Sequence, residues 1–195
     1  MFDFIAEKTR SNVLASLPWV SRCAGLVEPT LATDGGYYPG ARPYAGQPCD
    51  AGDYLNMSPQ ETETCIAFVD TDGEVRKQRG TSRFVGFETH FRVVLWYDER
   101  KISVDAGNFA FGMQSAIIAG VQATNYNGLG LHLTKAFFDG AQFDPKAIWG
   151  RYAINQEKQG LFMLPYRTMA ISFRLIGRAI PECFTATINA DPAAC

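Results

Sequence analysis

The sequence has little charge of either sign and very few histidines. Lysine and arginine together number 18 and aspartate and glutamate 20, which leaves a formal net charge of -2 over 195 residues. A chain so balanced has no overall attraction to a phosphate backbone, which argues against a general nucleic-acid binder. The two histidines, His90 and His132, are too few for most metal sites, and neither has a second histidine at ligand spacing. We therefore expect no metal and no cofactor.

The motifs of common enzymes are absent as well. The chain has no Gly-x-Ser-x-Gly elbow and no Walker loop, and Gly128-Leu129-Gly130 lacks the third glycine of a dinucleotide-binding turn. Residues 70–74 superficially resemble a calcium loop but lack its third acidic position, so a turn is the simpler interpretation. The acids Asp105, Asp139 and Asp144 have no visible catalytic partner. These absences predict a protein that is not an enzyme.

Long hydrophobic runs and paired cysteines are also missing. The densest apolar stretch, 161–175, is interrupted by Pro165, Arg167 and Arg174, and it falls short of the roughly 20 residues that cross a bilayer. The charged start, 1–12, has no signal-peptide core, so we expect synthesis in the cytoplasm and no membrane partner. Five cysteines without a Cys-x-x-Cys pair indicate scattered reduced thiols, although a late disulfide stays open.

Apolar residues, in contrast, are plentiful and regularly spaced. Hydrophobic residues make up 47% of the chain, which is enough for one core and hence a single domain over 1–195. Helical spacing predicts an N-terminal helix over 3–17, and two-residue alternation predicts long strands over 84–97 and 161–179. The expected fold class is α+β, with a twisted, mostly antiparallel sheet packed against a few helices.

The remaining segments give three further predictions. Thr64–Val69 and Val75–Gln78, separated by Asp72-Gly73, predict a β-hairpin. The stretch 109–149 is helix-prone but interrupted by glycines, which favours two or three short helices. Asp144-Pro145 is typical of an N-cap and first turn, so the last of these helices should begin there.

Two segments are predicted to be irregular and to reach other molecules. Residues 28–60 are rich in glycine and proline, which predicts a long irregular loop, and the tyrosines in it indicate a surface ordered by a partner. Residues 180–195 are expected to form an extended C-terminal arm or a frayed end. Arginines on the two long strands favour either solvated faces or a face that lines a channel or meets an acidic neighbour. The candidate subunit-interface residues are Tyr37, Tyr38, Tyr44, Tyr54, Arg92, Trp96, Arg174 and Arg178.

Three stretches carry a resemblance to known proteins. Residues 17–27, 91–96 and 164–173, together with the order of elements, resemble a family of structural proteins from bacteriophages and prophages of Bacteroidetes-like hosts. The leading helix, twisted sheet, middle helices and long returning strand are also similar to tail terminator proteins of long-tailed phages. Those proteins form a ring, usually of six subunits, that caps the tail tube and joins it to the head connector.

The resemblance implies a virion protein of the tail or neck, made in the host cytoplasm. Its partners would be copies of itself in a hexameric ring, the tail tube protein and head–tail connector proteins, with DNA passing close by in the lumen. Two alternatives stay open. One is another head–tail connector or a tail tube subunit. The other is a carbohydrate- or surface-binding module, suggested by the tyrosines of 28–60 and by Trp19, Trp96 and Trp149, because aromatic side chains also stack on sugars.

Overall fold

A computed structural model describes residues 1–41, 55–58, 60–71, 73–78, 80, 84–102, 106–153 and 165–180. Three α-helices and eight β-strands lie in these ranges. In chain order they are α1 Phe2–Asn12, β1 Arg22–Leu31, β2 Tyr37–Ala41, β3 Leu55–Asn56, β4 Cys65–Asp70, β5 Val75–Gln78, β6 Val85–Asp98, α2 Ala106–Ala123, β7 Leu131–Gln142, α3 Pro145–Trp149 and β8 Tyr166–Ala179.

The strands form one curled sheet with the order β3-β2-β1-β4-β6-β8-β7, and β5 pairs with β6 outside this path. Among the described strands, β1 and β4 are parallel and every other neighbouring pair is antiparallel. The chain is therefore a single α+β domain with a mostly antiparallel sheet, as the sequence predicted.

Strand β6 is the centre of the sheet, and its alternation divides the molecule into two layers. Phe91, Val93 and Leu95 face a core that also contains residues of α1 and α2. Val94 and Trp96 face the opposite side, which we call the outer face, and pack there with residues of α3. The predicted strand over 84–97 is confirmed, and part of its second side is covered by the protein's own chain.

Strand β8 pairs with β6 along its full length, from Tyr166 opposite Asp98 to Ala179 opposite Val85. This confirms the predicted C-terminal strand from Tyr166 onward, whereas residues 161–164 lie outside the described residues. The arm predicted for 180–195 also lies outside the described residues, except for Ile180.

Helix α1 is tied to the chain that follows α2. Thr9 Oγ1 donates to the Ile5 carbonyl at 2.9 Å and lies 2.9 Å from the hydroxyl of Tyr126. Burial raises the pKa of Tyr126 to about 12, so this phenol stays protonated and able to hydrogen-bond at neutral pH. The predicted helix over 3–17 is confirmed as α1, with a 3-10 turn at Leu14–Ser16 completing it.

The predicted hairpin between β4 and β5 is wrong. Both strands pair antiparallel with β6, β4 against Arg92–Tyr97 and β5 against Gly86–Thr89, so they run in the same direction. The physical reason is the length of β6, whose 14 residues offer room for two short strands end to end. Gly73, at φ 79°, shifts the chain between them instead of reversing it.

The prediction of two or three short helices over 109–149 is correct for the two ends of the stretch, which contain α2 and α3, and wrong for its middle, where Leu131–Gln142 is the strand β7. Helix α2 continues through Gly120, where an added Cβ would lie 2.8 Å from Val13 Cγ1, so this glycine permits close helix packing and does not end the helix. Gly128 and Gly140, at φ 133° and 140°, are found before and within the strand β7. The start of α3 is confirmed, since Asp144 Oδ1 accepts from the Lys146 amide at 3.0 Å.

The prediction of an irregular loop over 28–60 is wrong wherever the structure describes that segment as strand. Strand β1 continues to Leu31, and β2 and β3 complete a small antiparallel ladder beside it. Pro29 and Pro39 lie opposite each other near the edge of the sheet, where proline is tolerated. Residues 42–54 lie outside the described residues.

Asp98 is the last residue of β6, and its carboxylate makes a contribution to stability that should depend on pH. Its Oδ1 accepts from the Arg100 amide at 3.0 Å and its Oδ2 accepts from the Arg100 guanidinium at 2.7 Å. These hydrogen bonds from Arg100 hold the pKa of Asp98 below its ordinary value of 3.8. A depressed pKa in the folded state means that the carboxylate stabilises the fold above about pH 4, and that this contribution is lost as the pH falls through the folded-state pKa.

Asp98→Asn is therefore expected to be less stable than the wild type at pH 7, with the difference shrinking below about pH 4. Urea denaturation at pH 7, 4 and 3 measures this difference. If the difference in free energy of unfolding between the two proteins is the same at all three pH values, the Asp98 carboxylate does not stabilise the fold through its charge.

Candidate subunit interface

One half of the outer face is closed by α3. The ring of Trp149 lies 4.4 Å from that of Trp96 and 6.0 Å from that of Phe68, centroid to centroid. All three side chains are buried, so none of them is available for contact with another molecule.

A buried carboxylate holds this half together. Asp70, at the end of β4, is fully buried and accepts from Arg92 Nε at 2.9 Å and from Arg92 Nη2 at 2.7 Å. Arg151, just after α3, donates to the other carboxylate oxygen of Asp70. Arg92 Nη2 also donates to the Ile148 carbonyl at 3.0 Å, inside α3. We call Asp70, Arg92 and Arg151 the Asp70 clamp, and it fixes α3 on the sheet.

The other half of the outer face consists of cross-strand rows from β6, β8 and β7, and we call it the open face. Arg174 lies opposite His90 and Phe137, and Ile176 lies opposite Glu88 and Lys135. Residues directly opposite each other in antiparallel strands share a face. A further row places Arg178 opposite Gly86 and His132.

The open face carries mostly basic and aromatic groups. The guanidinium of Arg174 lies over the ring of Phe137, 5.9 Å from its centroid, and both side chains are exposed. His90 Nε2 lies 3.6 Å from Asp139 Oδ2. Lys135, Arg174 and Arg178 are exposed along this face, although the chain as a whole has a net charge of -2. With the carboxylates Glu88 and Asp139 on the same face, the basic side chains exceed the acidic ones by one, and this small excess of positive charge favours contact with an acidic partner.

The edge of the sheet next to this face is long and apolar. Strand β7 has 12 residues, and in the described part of the chain it pairs only with β8. Leu133 is 68% exposed and Phe137 and Phe138 are each 41% exposed. Native proteins usually shorten, cover or charge such edges, because unpaired strand groups beside apolar side chains attract other strands.

Two irregularities divide β7 into parts. The pairing with β8 shifts between His132 and Lys135 and again between Phe138 and Gly140, which leaves Lys135–Phe138 as a regular segment. Leu133 lies in the first irregularity with φ 51°, a left-handed conformation that leucine rarely adopts and that costs about 1 to 2 kcal/mol. Strain of this kind concentrates at functional positions.

Replacing Leu133 with glycine is expected to leave the free energy of unfolding unchanged or to raise it by up to about 1 kcal/mol. Glycine adopts the positive φ without strain, and no buried contact is lost. The matched change Leu131→Gly, two residues earlier, removes a fully buried side chain and should be destabilising. Urea denaturation of both variants tests the prediction, and a clear loss of stability for Leu133→Gly would contradict it.

The sequence-predicted interface residues fall into four groups. Arg174 and Arg178 lie exposed on the open face. Tyr37 is 43% exposed at the start of β2, at the other end of the sheet. Tyr44 and Tyr54 lie outside the described residues.

The remaining three were predicted to lie on the surface, but the structure places them inside the protein or partly covered. Tyr38 is 2% exposed and its hydroxyl donates to Asp34 Oδ2 at 2.7 Å. Trp96 is 0% exposed and belongs to the core under α3. Arg92 is half-buried in the Asp70 clamp. These side chains are occupied within their own chain because α3 and the β2 ladder cover positions that the strand pattern alone leaves open.

Sequence reasoning missed Leu133, Lys135, Phe137 and Phe138 because it assigned β7 to helix. The only available signal was the run from Leu131 to Phe138, rich in apolar and aromatic residues, before Asp139-Gly140. Its alternation is interrupted by the irregularity around Leu133, so neither the period of a strand nor that of a helix fits.

No group of three or more His, Cys, Asp or Glu side chains that could hold a metal ion is found among the described residues. Cys23 and Cys65 are free thiols, and burial raises the pKa of Cys65 well above its ordinary value. None of the helices in the described ranges has the length and apolar character needed to cross a bilayer.

No protein-family model and no curated protein matches this sequence. The chemistry and placement of its own side chains are therefore the basis for inferring a function.

Proposed function

We propose that this chain is a structural protein of a phage virion, the tail terminator, which assembles into a ring that caps the tail tube and joins it to the head connector. The observation that carries the proposal is that the sheet has two unlike ends, each with exposed apolar side chains. One end is β7 with the open face. The other is the turn between β1 and β2, where Leu31 is 61% and Tyr37 43% exposed.

The charges at the two ends are complementary. Lys135, Arg174 and Arg178 outnumber the carboxylate Asp139 at the β7 end, whereas the carboxylates Glu28 and Asp34, the latter hydrogen-bonded to Tyr38, lie at the β1–β2 end. A closed ring needs two different surfaces that fit each other on every subunit, so that each copy binds the next head to tail. Opposite charges around apolar contacts would fix the register of such an interface.

The same ends could also build a tail tube subunit or another connector, because a heterologous contact that does not close gives a stack or a filament. The carbohydrate-binding alternative has less support, since the large aromatic side chains of Tyr38, Trp96 and Trp149 are buried and cannot stack on a sugar.

Electron microscopy of the purified protein tests the proposal. A terminator is expected to form single rings that do not stack, with six subunits in the ring. Long tubes would overturn the terminator assignment in favour of a tube subunit. Separate single subunits at every concentration would overturn a self-assembling role.

A further inference from the structure

Both histidines of the chain lie on the open face. The sequence contains two, and they stand in different cross-strand rows of β6, β8 and β7. His90 lies opposite Arg174, and His132 lies opposite Arg178. Histidine is the side chain that ordinarily changes its charge between about pH 5 and pH 8. Both imidazole charges of this protein therefore change on one and the same surface.

On β6 the charged neighbours of His90 already have partners. Glu88, two residues before His90 and on the same face, accepts from Gln78 Nε2 at 3.0 Å and lies opposite Arg76 of β5. Arg92, two residues after His90, is held by the buried carboxylate at the end of β4. Because the Glu88 carboxylate is already engaged, it offsets only part of the charge of a protonated His90.

From the neighbouring strands His90 meets one cation and one carboxylate. Arg174 of β8 lies directly opposite, and Asp139 Oδ2 of β7 lies 3.6 Å from His90 Nε2. The side chains of His90 and Asp139 are 33% and 49% exposed, so solvent weakens the attraction between them. Protonation of His90 therefore adds a positive charge that Asp139 offsets only weakly.

The surroundings of His132 are cationic and aromatic. Its ring meets that of Phe84 edge to face, with 5.7 Å between the centroids, and its side chain is exposed. Arg178 faces it from β8, and Lys135 follows three residues later on β7. Protonation of His132 therefore places one more cation beside two others.

Protonation of both imidazoles triples the excess positive charge of the open face. Across β6, β8 and β7, the basic side chains exceed the acidic ones by one while both histidines are neutral, and by three when both are protonated. Carboxylates ordinarily stay ionised above about pH 5, so an acidic partner surface keeps its charge over the same range. The attraction between the two surfaces therefore increases as the pH falls.

We propose that the open face is a pH-dependent contact, in which proton uptake by His90 and His132 strengthens binding to the acidic β1–β2 end of a neighbouring copy. This deepens the assembly proposed above, and it rests on that proposal for the presence of a neighbouring copy. Because an affinity that grows with protonation is reciprocal, association must itself take up protons.

Two effects of association act on the imidazoles in opposite directions. Burial at an interface disfavours the protonated form, whereas carboxylates of the partner favour it. Arg174 and Arg178 remain charged in the same rows, and interfaces around such charges stay polar and hydrated. The burial effect is therefore small, and attraction to the partner's carboxylates decides the sign.

The first test measures association against pH. Sedimentation equilibrium of the wild type at pH 8, 7 and 6, at one ionic strength, should give a dissociation constant about tenfold lower at pH 6 than at pH 8. The double variant His90→Gln, His132→Gln keeps the face at its high-pH charge and should change less than about threefold. A dissociation constant that is constant or rises as the pH falls, or an equal change in both proteins, would overturn the proposal.

Lys8→Gln is the matched control for net charge. Lys8 belongs to α1, in the layer on the other side of the sheet, so the substitution removes one positive charge and should keep the tenfold pH effect. The Met1 amine, whose pKa burial lowers from its ordinary 8.0, also titrates in this range. It is common to all three proteins, so a pH effect that survives in the double glutamine variant would be assigned to other groups and not to the histidines.

A second variant tests the sign of the charge effect. Asp139→Asn removes a carboxylate from the open face and should tighten association at pH 8 and at pH 6, by at least about twofold, without removing the pH dependence. Weaker association of this variant at both pH values would contradict an attraction set by positive charge.

The outcome for the switch can be separated from that for the ring. If rings form equally well at pH 6 and pH 8, the switch fails and the ring proposal stands. If the wild type remains a single subunit at every pH, the ring proposal fails, and labelled poly-L-aspartate then serves as the acidic probe. Fluorescence anisotropy should show binding about tenfold tighter at pH 6 than at pH 8 for the wild type and not for the double glutamine variant. No binding, or binding equal at both pH values, overturns the switch.

Discussion

Replacing Trp96 with alanine is expected to lower the free energy of unfolding by about 4 kcal/mol. Trp96 is the largest of the fully buried side chains, and its ring lies 4.4 Å from that of Trp149. The substitution removes this contact and leaves a cavity between β6 and α3 that a rigid sheet cannot fill by relaxing. Chemical denaturation followed by circular dichroism measures the loss.

Tyr37→Ala is the matched control for Trp96→Ala. Tyr37 is an aromatic residue that the sequence also placed at an interface, but it is partly exposed and should change stability by less than about 0.5 kcal/mol. A stability loss for Trp96→Ala as small as that of the control would mean that Trp96 does not form part of the core.

Replacing Asp70 with asparagine is expected to lower the free energy of unfolding by about 3 kcal/mol. The change removes the charge that Arg92 and Arg151 share and leaves both guanidinium groups half-buried without it. These two arginines hold α3 on the sheet. Without the Asp70 charge, α3 should detach more easily, and water should then reach Trp149. Denaturation curves give the stability, and a red shift of tryptophan emission before global unfolding reports the release of α3.

Glu99→Gln is the control for Asp70→Asn. Glu99 pairs with Arg167, whose side chain is half exposed, and such surface pairs contribute at most about 1 kcal/mol. If the double substitution Asp70→Asn, Arg92→Met lowers the free energy of unfolding clearly less than the sum of the two single changes, the two residues are coupled. Independent, fully additive effects would contradict a clamp.

The strands that the sequence predicted well are those whose alternation is uninterrupted. In β6, the alternate residues from Phe87 to Tyr97 are all buried on one side, and all of them except Thr89 belong to the same hydrophobic core; this regularity is visible without a structure. Strand β8 shows the same pattern from Met169 to Leu175. Periodicity identifies such strands because their side chains meet one apolar layer throughout.

The strands that were missed are those in which a bend or a bulge breaks the pattern. Leu133 at φ 51° and Gly140 at φ 140° interrupt β7, and Pro29 and Pro39 conceal the ladder of β1 and β2. Glycine and proline are read from a sequence as residues that end a helix or strand. Whether they end the element or only bend it depends on its pairing with other strands in the fold.

The candidate interface was predicted only in part for a related reason. Alternation told which residues of β6 and β8 share the outer face, and so Arg174 and Arg178 were found. It could not tell that α3 returns to cover Trp96 and Arg92, since this depends on a clamp between residues far apart in the chain, Asp70 and Arg151. The edge of β7 became visible only with the sheet order.

The mass of the intact, purified protein in solution tests the central claim, which is that the unlike ends of this sheet bind other copies of the chain. Native mass spectrometry from low to high micromolar concentration gives that mass without any label or substitution. We predict a discrete species of ring size, six times the 21.5 kDa of one chain, with few intermediates. A single species of 21.5 kDa at every concentration would contradict the claim.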